Sequence, residues 1–500
     1  MGASYPDTPN STEISQYAFP LKPKDYAPGA VPTLEEWRKL WAAWDLVTLK
    51  MFPKEALHEQ PIALRNPLIF YLGHIPTLKG SDNPSEDIHL ARATKTPPTE
   101  PKYYQQIFER GIDPDVDNPS NCHDHSEIPN TWPELSDILD FREKVCARIT
   151  TLYQTQKPWQ DRSIGRALWI GFEHEGLHLE TFLWMTLMSP NIRPPPGIPR
   201  PDFIRMAEQA VRDRVENQWF GIKPRTFTIG IEDTDDDSAL SPDDFFAWDN
   251  ERNPYEVSVK GFEAQARPVS ILDYATYLVK TSRKDCLPVT WSTGSPGVPD
   301  RNVASNPLGE PNVEEFVNSL TVKTVYGPLP LRLALDWPVY TSYNEAVGYA
   351  EWAGTRLPTL HEARSIHRQV EEEKAEKTQK ETVSKSTRDD IYTDLTACNV
   401  GFQNLHPTPV TQNGDRLSGQ GDLGGAYEWT SSFFEPQPKF KPMDIYPGYS
   451  ADFMDGKHIV VVGGSWALHP RISGKKTFLN WWQKGYPYPW IGIRLVRDTL

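Results

Sequence analysis

Apolar positions over the first 190 residues recur at helical spacing. Trp37, Leu40, Trp41, Trp44, Val47 and Met51 follow one another in steps of three and four, the mark of an amphipathic helix. Thr33 and Glu36 ahead of them make a capping box. A second helix is predicted with Asn66 as cap and Pro67 in its first turn, running through Leu68, Ile69, Phe70 and Leu72 to His74 and stopped by Pro76. A third opens at Pro133 and shows Leu135, Ile138, Leu139, Val145, Ile149 and Leu152 on one face. The fourth spans Asp161 to Met188. Four helices with long excursions between them predict a four-helix bundle over residues 31–190.

The texture then changes. Ser189 to Pro201 (SPNIRPPPGIPRP) is a stiff proline-rich connector, so a linker is placed over 191–222, with a short amphipathic helix around Phe203 to Val215. Beyond Lys223 come short strands, turns rich in Gly, Asn, Asp and Pro, and scattered tryptophans, with Asn344 to Trp352 the clearest helix. Residues 223–500 therefore read as one loop-rich α+β domain, giving an α+β multidomain chain. Within it Glu371 to Asp390 is a charged run, read as a solvated helix or a mobile surface insertion. The polar start, residues 1–30, reads as a disordered lead-in.

Composition narrows the partners. A formal charge of −15 argues against nucleic acid and anionic membrane surfaces. No apolar run approaches the ~18 residues that a membrane helix needs. Cys122, Cys146, Cys286 and Cys398 are widely scattered with no CxxC, which suits reduced thiols and a cytoplasmic setting.

Chemistry concentrates in Gly171 to Met185, GFEHEGLHLETFLWM. His174 and His178 are one helical turn apart, so both imidazoles can face one ion. HEGLH also fits the HExxH pattern of zinc peptidases, with Glu175 as general base. The metzincin continuation is missing, because Leu179-Glu180-Thr181 follows; Glu208 and Glu216 are the remaining carboxylates for a gluzincin. His74, after a glycine in YLGHIP, is the better third ligand. Two histidines from one helix and one from another leave three positions open on an octahedral ion, a layout that suits iron(II) better than zinc.

Several blocks, in this order, resemble the ergothioneine-biosynthesis sulfoxide synthases in their fungal form. LRNPLIFYLGHIPT, IFERGIDPDVDNP, HSEIPNTWP and GFEHEGLHLET are similar to the family's DinB-like helical metal-binding domain. FTIGIEDTD, WDNERNPYEVSV, RLPTLHEA, NVGFQ, GGAYEWT, GGSWALHPR and IGIRLVRD are similar to its formylglycine-generating-enzyme-like (FGE-sulfatase-like), C-type-lectin-related domain. The resemblance implies a mononuclear non-haem iron(II) on His74, His174 and His178. It implies an oxygenase that joins cysteine to the imidazole of hercynine, or a related histidine derivative, with O2, giving hercynylcysteine sulfoxide. It places the betaine grip on Asn480 and Trp481, with Trp482 beside them favouring free cysteine over γ-glutamylcysteine, and the proton donor on Tyr446 or Tyr449. Glu180 completes the family's HxxxHxE pattern but lies off the histidine face, so it reads as a supporting residue.

The chain departs from the family in places. Leu177 stands where bacterial relatives have Gln. Lys79 to Glu86 interrupts GHIPT…IHLARAT, which is continuous in the family. Fungal members carry a histidine methyltransferase ahead of the iron domain, for which this chain has no room. Three other readings stand beside the synthase. One is a betaine- or imidazole-binding homologue without oxidation, and another is the zinc peptidase. The third is formylglycine generation, which needs a late reactive cysteine pair, and no cysteine follows Cys398.

Overall fold

The computed structural model describes residues 16–77, 86–284, 286–294, 311–377 and 387–499. The helical half is built from α1 (Leu34–Asp45), α2 (Leu68–Thr77), α3 (Glu86–Thr94), α4 (Leu135–Tyr153) and α5 (Arg162–Thr186). α1, α2 and α3 each pack on α5, and α4 packs on α2. The capping box at α1 is formed: the Glu36 amide donates to Thr33 Oγ1 at 3.2 Å, and the Thr33 amide donates to Glu36 at 2.7 Å. Asp161 caps α5 by accepting from the Ser163 amide at 3.1 Å. Short turns fill the excursions, so the half holds more helices than the four expected, and a four-helix count does not describe it.

Three details differ from expectation. α2 is not stopped by Pro76: the helix includes it and reaches Thr77, the last residue described there. The Asn66 side chain accepts from the Ile112 amide at 2.7 Å and so ties the 108–116 loop to the start of α2. The lead-in is packed from residue 16 onward: Phe19 and Tyr26 are buried, and the Tyr26 hydroxyl donates to the Thr393 carbonyl at 2.5 Å. Two large aromatic rings in an otherwise polar stretch are what dock it. Residues 1–15 lie outside the described residues, as does Lys79 to Ser85 of the interruption.

The connector leads to a helix at Phe203–Arg212, capped by Asp202. Among the described residues the second half then holds twelve short strands: β1 (Trp219–Ile222), β2 (Arg225–Ile229), β3 (Tyr255–Val259), β4 (Phe262–Gln265), β5 (Trp291–Thr293), β6 (Leu320–Val322), β7 (Leu329–Pro330), β8 (Tyr427–Phe433), β9 (His458–Gly463), β10 (Leu479–Gln483), β11 (Ile491–Gly492) and β12 (Val496–Asp498). The central sheet has the order β10-β9-β8-β11, with only β11 parallel to its neighbour. A second sheet, β1-β4-β12, brings the last described strand back to the first of this half. Helices at Ile271–Lys280, Tyr343–Trp352 and Leu360–Lys377 accompany them, and the last takes up the start of the charged run.

One apolar cluster runs through both halves, from Tyr17 and Trp37 through Trp169 and Phe182 to Trp466 and Leu495. The connector thus divides the chain without dividing the core. Among the described residues no helix is long and apolar enough to cross a membrane.

Candidate metal centre

α5 is 25 residues long and is buried around most of its circumference, because helices cover one side and the second half covers the other. His174 and His178 point from it toward α2, where His74 faces them. The three rings lie 4.4–5.1 Å apart between centroids, and one nitrogen from each falls within 4.8 Å of the others. Among the described residues this is the group whose donors could share one ion.

The donor chemistry fits a divalent transition metal. The Phe108 carbonyl accepts a hydrogen bond from His74 Nδ1 at 2.7 Å, which fixes the tautomer and leaves the Nε2 lone pair free. Nδ1 of His174 and of His178 is buried without a hydrogen-bond partner. Burial lowers all three pKa values, that of His74 to about 4, so the imidazoles are neutral donors at physiological pH. Phe70 stacks on His74 at 5.0 Å, and the Tyr71 ring lies 5.8 Å from that of His178.

The two glutamates flanking the pair are turned elsewhere. Glu175 lies beside Arg142, 3.7 Å away, and burial lifts its pKa to about 7. A peptidase base would face the ion instead. Glu180 accepts from the Tyr427 hydroxyl at 2.9 Å and from Ser465, and it too is lifted to about 7 by burial. Both partners of Glu180 come from the second half. The buried Cys398 thiol is pushed up to about 12, which makes it a poor nucleophile for formylglycine chemistry.

The residues expected to hold substrate are divided by the pleat of β10. Asn480 and Trp482 share the face that looks toward α5: Trp482 meets Trp184 edge-on at 5.7 Å, and Asn480 is hydrogen-bonded to Tyr427. Trp481 points to the opposite face and stacks flat on Phe434, 4.1 Å between centroids. Tyr449 lies between Trp248, stacked at 3.9 Å, and the edge of Trp481 at 5.4 Å. Tyr446 lies 5.7 Å from Tyr449 and within the field of Arg110 and Asp452. Burial raises the pKa of both phenols, so both stay protonated.

Sequence reasoning overlooked two groups. Tyr427 bridges Glu180 and Asn480; it lay in the GGAYEWT block, where only its partner's number could have given it a role. The other is a buried ionic network beneath Tyr449. Lys475 donates at 3.0 Å to both Glu173 of α5 and Glu251, while the indoles of Trp169 and Trp248 donate at 2.7 Å to Glu173. No local pattern in the sequence points to a contact across 302 residues.

Comparison with known proteins places this geometry. The chain is 44% identical, over 97% of its length, to "Ergothioneine biosynthesis protein 1" of Neurospora crassa, and 32% identical over 93% to the protein of the same name in Schizosaccharomyces pombe. It spans 60% and 56% of those two proteins. "Hercynine oxygenase" of Mycolicibacterium smegmatis is 27% identical over 90% of this chain and 95% of its own length. Residues 213–499 match the sulfatase-modifying factor enzyme 1-like domain, which is more than half of the chain. On that match the chain belongs to the sulfatase-modifying factor enzyme 1-like (FGE-sulfatase) family.

Proposed function

We propose that the chain is an iron(II)- and O2-dependent sulfoxide synthase of ergothioneine biosynthesis, acting in the cytoplasm. It would join the sulfur of cysteine to the imidazole carbon of hercynine and release hercynylcysteine sulfoxide. The observation that carries this reading is the convergence of three neutral imidazoles from two helices, two of them buried and the third half-buried, in a chain similar over nearly its whole length to proteins named for that pathway. No disulfide joins the four cysteines, in keeping with a reducing compartment.

The balance of the reaction sets the tasks. A thiol, an aromatic C–H and O2 give a sulfoxide and water: one oxygen atom ends on sulfur, and the other leaves as water with the two protons. His74, His174 and His178 would hold the iron, which when bound acidifies the thiol and supplies electrons to O2. The chain's own residues do the rest. The rings of Phe70 and Tyr71, packed against His74 and His178, keep bulk water away from the imidazoles. Asn480 and Trp482 offer an amide and an aromatic face to an imidazole bearing a trimethylammonium group, with Trp481 behind them. Tyr446 or Tyr449 would give a proton toward the reduced oxygen. Both are half-buried phenols whose raised pKa keeps that proton in place at neutral pH.

The test is anaerobic reconstitution with iron(II), followed by air, hercynine and cysteine, with oxygen uptake and product mass followed together. The expected result is one hercynylcysteine sulfoxide per O2. Substrate binding without oxygen uptake would instead favour a binding homologue, and would overturn the synthase reading.

A further inference from the structure

We propose that the ion pair Arg65–Asp113 is the recognition element for the α-carboxylate and α-ammonium groups of the amino-acid thiol. This inference rests on the function proposed above and assigns it a substrate-binding pair. Arg65 lies in the turn before α2, and its Nη2 is 2.9 Å from Asp113 Oδ1. Its Nε donates to the Tyr486 hydroxyl at 2.9 Å. The guanidinium is covered by the rings of Tyr486, Trp482 and Trp184, at 5.0, 5.6 and 5.9 Å from their centroids.

Position links the pair to the histidines. Tyr71 lies between them, with its ring against His178 and its hydroxyl in the field of Arg65 and Asp113.

The pair is not sealed as the deepest ones are. Arg162–Asp233 and Lys475–Glu173 have side chains at most 2% exposed. The side chains of Arg65 and Asp113 keep 12% and 19%. Such a pair offers guanidinium N–H groups and carboxylate oxygens side by side, the complement of a zwitterion lying antiparallel to it. The rings around it lower the local dielectric and strengthen both contacts.

The pair is held in place before any ligand arrives. The Asn66 side chain accepts from the Ile112 amide next to it, and Gln483 of β10 accepts from the Val116 amide at 2.7 Å and donates to the Pro114 carbonyl at 3.0 Å. Asp113 is therefore clamped by both halves of the chain, through Asn66 before α2 and Gln483 at the end of β10. Preorganisation of this kind is what turns a surface-type ion pair into a binding device.

The test uses cobalt(II) at the histidines as a spectroscopic probe. Its thiolate charge-transfer band is titrated with L-cysteine, cysteamine, which lacks the carboxylate, and 3-mercaptopropionate, which lacks the ammonium. The wild-type chain is expected to bind cysteine at least about tenfold more tightly than either analogue, one charge-assisted contact being lost in each case. Arg65→Gln should erase the preference over cysteamine, and Asp113→Asn the preference over 3-mercaptopropionate. Since each single change strands a charge, the neutral double variant R65Q/D113N is the second probe, and it should bind all three thiols alike. A wild type that does not discriminate, or variants that weaken all three thiols equally, would overturn the proposal. Calorimetry of the same thiols with metal-free protein separates the two readings. Discrimination there without cobalt binding would sink the metal assignment and leave the pair standing; no discrimination in either format would sink the pair.

Discussion

The Phe108 carbonyl decides what His74 can do. A carbonyl can only accept, so Nδ1 must carry the proton and Nε2 must be the donor toward the other two rings. Loss of any of the three imidazoles should therefore abolish metal retention while leaving the helices intact. For His178→Ala the expected outcome is metal content near zero, C–S coupling down by about 10³-fold or more, and an unchanged far-ultraviolet spectrum; metal retained at wild-type level would contradict it. Tyr427→Phe removes one of the two hydroxyls that serve the buried Glu180. Leaving that carboxyl half-satisfied should cost about 1–3 kcal/mol, visible as a lower urea midpoint. The histidines were legible because their spacing is local and their chemistry distinctive. Tyr427 and Arg65 were not, since their roles arise from partners 247 residues before and 421 residues after them in the chain.

Among elements, the close approach of α2 to the 108–116 loop bears directly on the metal centre. A Cβ on Gly73 would stand 2.5 Å from the Phe108 ring. Gly73→Ala should push that ring, and with it the carbonyl that orients His74. The expected result is about 1–3 kcal/mol of destabilisation together with weaker metal binding, read by competition with a chromogenic chelator. Weaker stability with unchanged affinity would mean that the loop yields without moving its carbonyl. Four of the five longer helices described in the first half, α1, α2, α4 and α5, were visible in the sequence almost to their ends, because capping residues and three-four spacing are local signals; α3 was not foreseen. α5 was expected over Asp161 to Met188 and occupies Arg162–Thr186. The strands were visible only as texture. Their pairing, and the face to which Asn480, Trp481 and Trp482 each point, depends on β9 as neighbour and on nothing within reach of a short window.

At the scale of the whole molecule, burial of ionisable groups ties stability to pH. His74 and His406 have pKa values near 4 in the folded chain and His89 near 3, against 6.5 when unfolded. Their folded values are depressed, so below pH 6.5 the unfolded chain binds the extra protons, and stability falls with pH down to about 4. Each contributes about 2 kcal/mol between pH 6.5 and 5. Glu175 and Glu180, raised to about 7, act in the opposite sense between 4.5 and 7, but the buried imidazoles outnumber them. Metal-free protein should therefore show a lower urea midpoint at pH 5 than at pH 7; an equal or higher one would refute the assignment of neutral buried histidines.

The same scale holds the network of Lys475, Glu173 and Glu251, in which every side chain is fully buried. Lys475→Met would leave two carboxylates facing each other and should cost about 3–5 kcal/mol, read as a fall in the thermal midpoint. That network also limits how the chain can be taken apart. Cut at the proline connector, the first half would present Glu173 and Glu180 to water along an open apolar wall, and the second half would present Lys475, with Glu251 as its remaining carboxylate, beside Trp248. Neither fragment would be a tractable protein. Anyone grafting this metal-bearing helix onto a different sheet would have to transplant Lys475, Tyr427 and Ser465 along with it, so inheritance of the two halves is expected to be all or nothing.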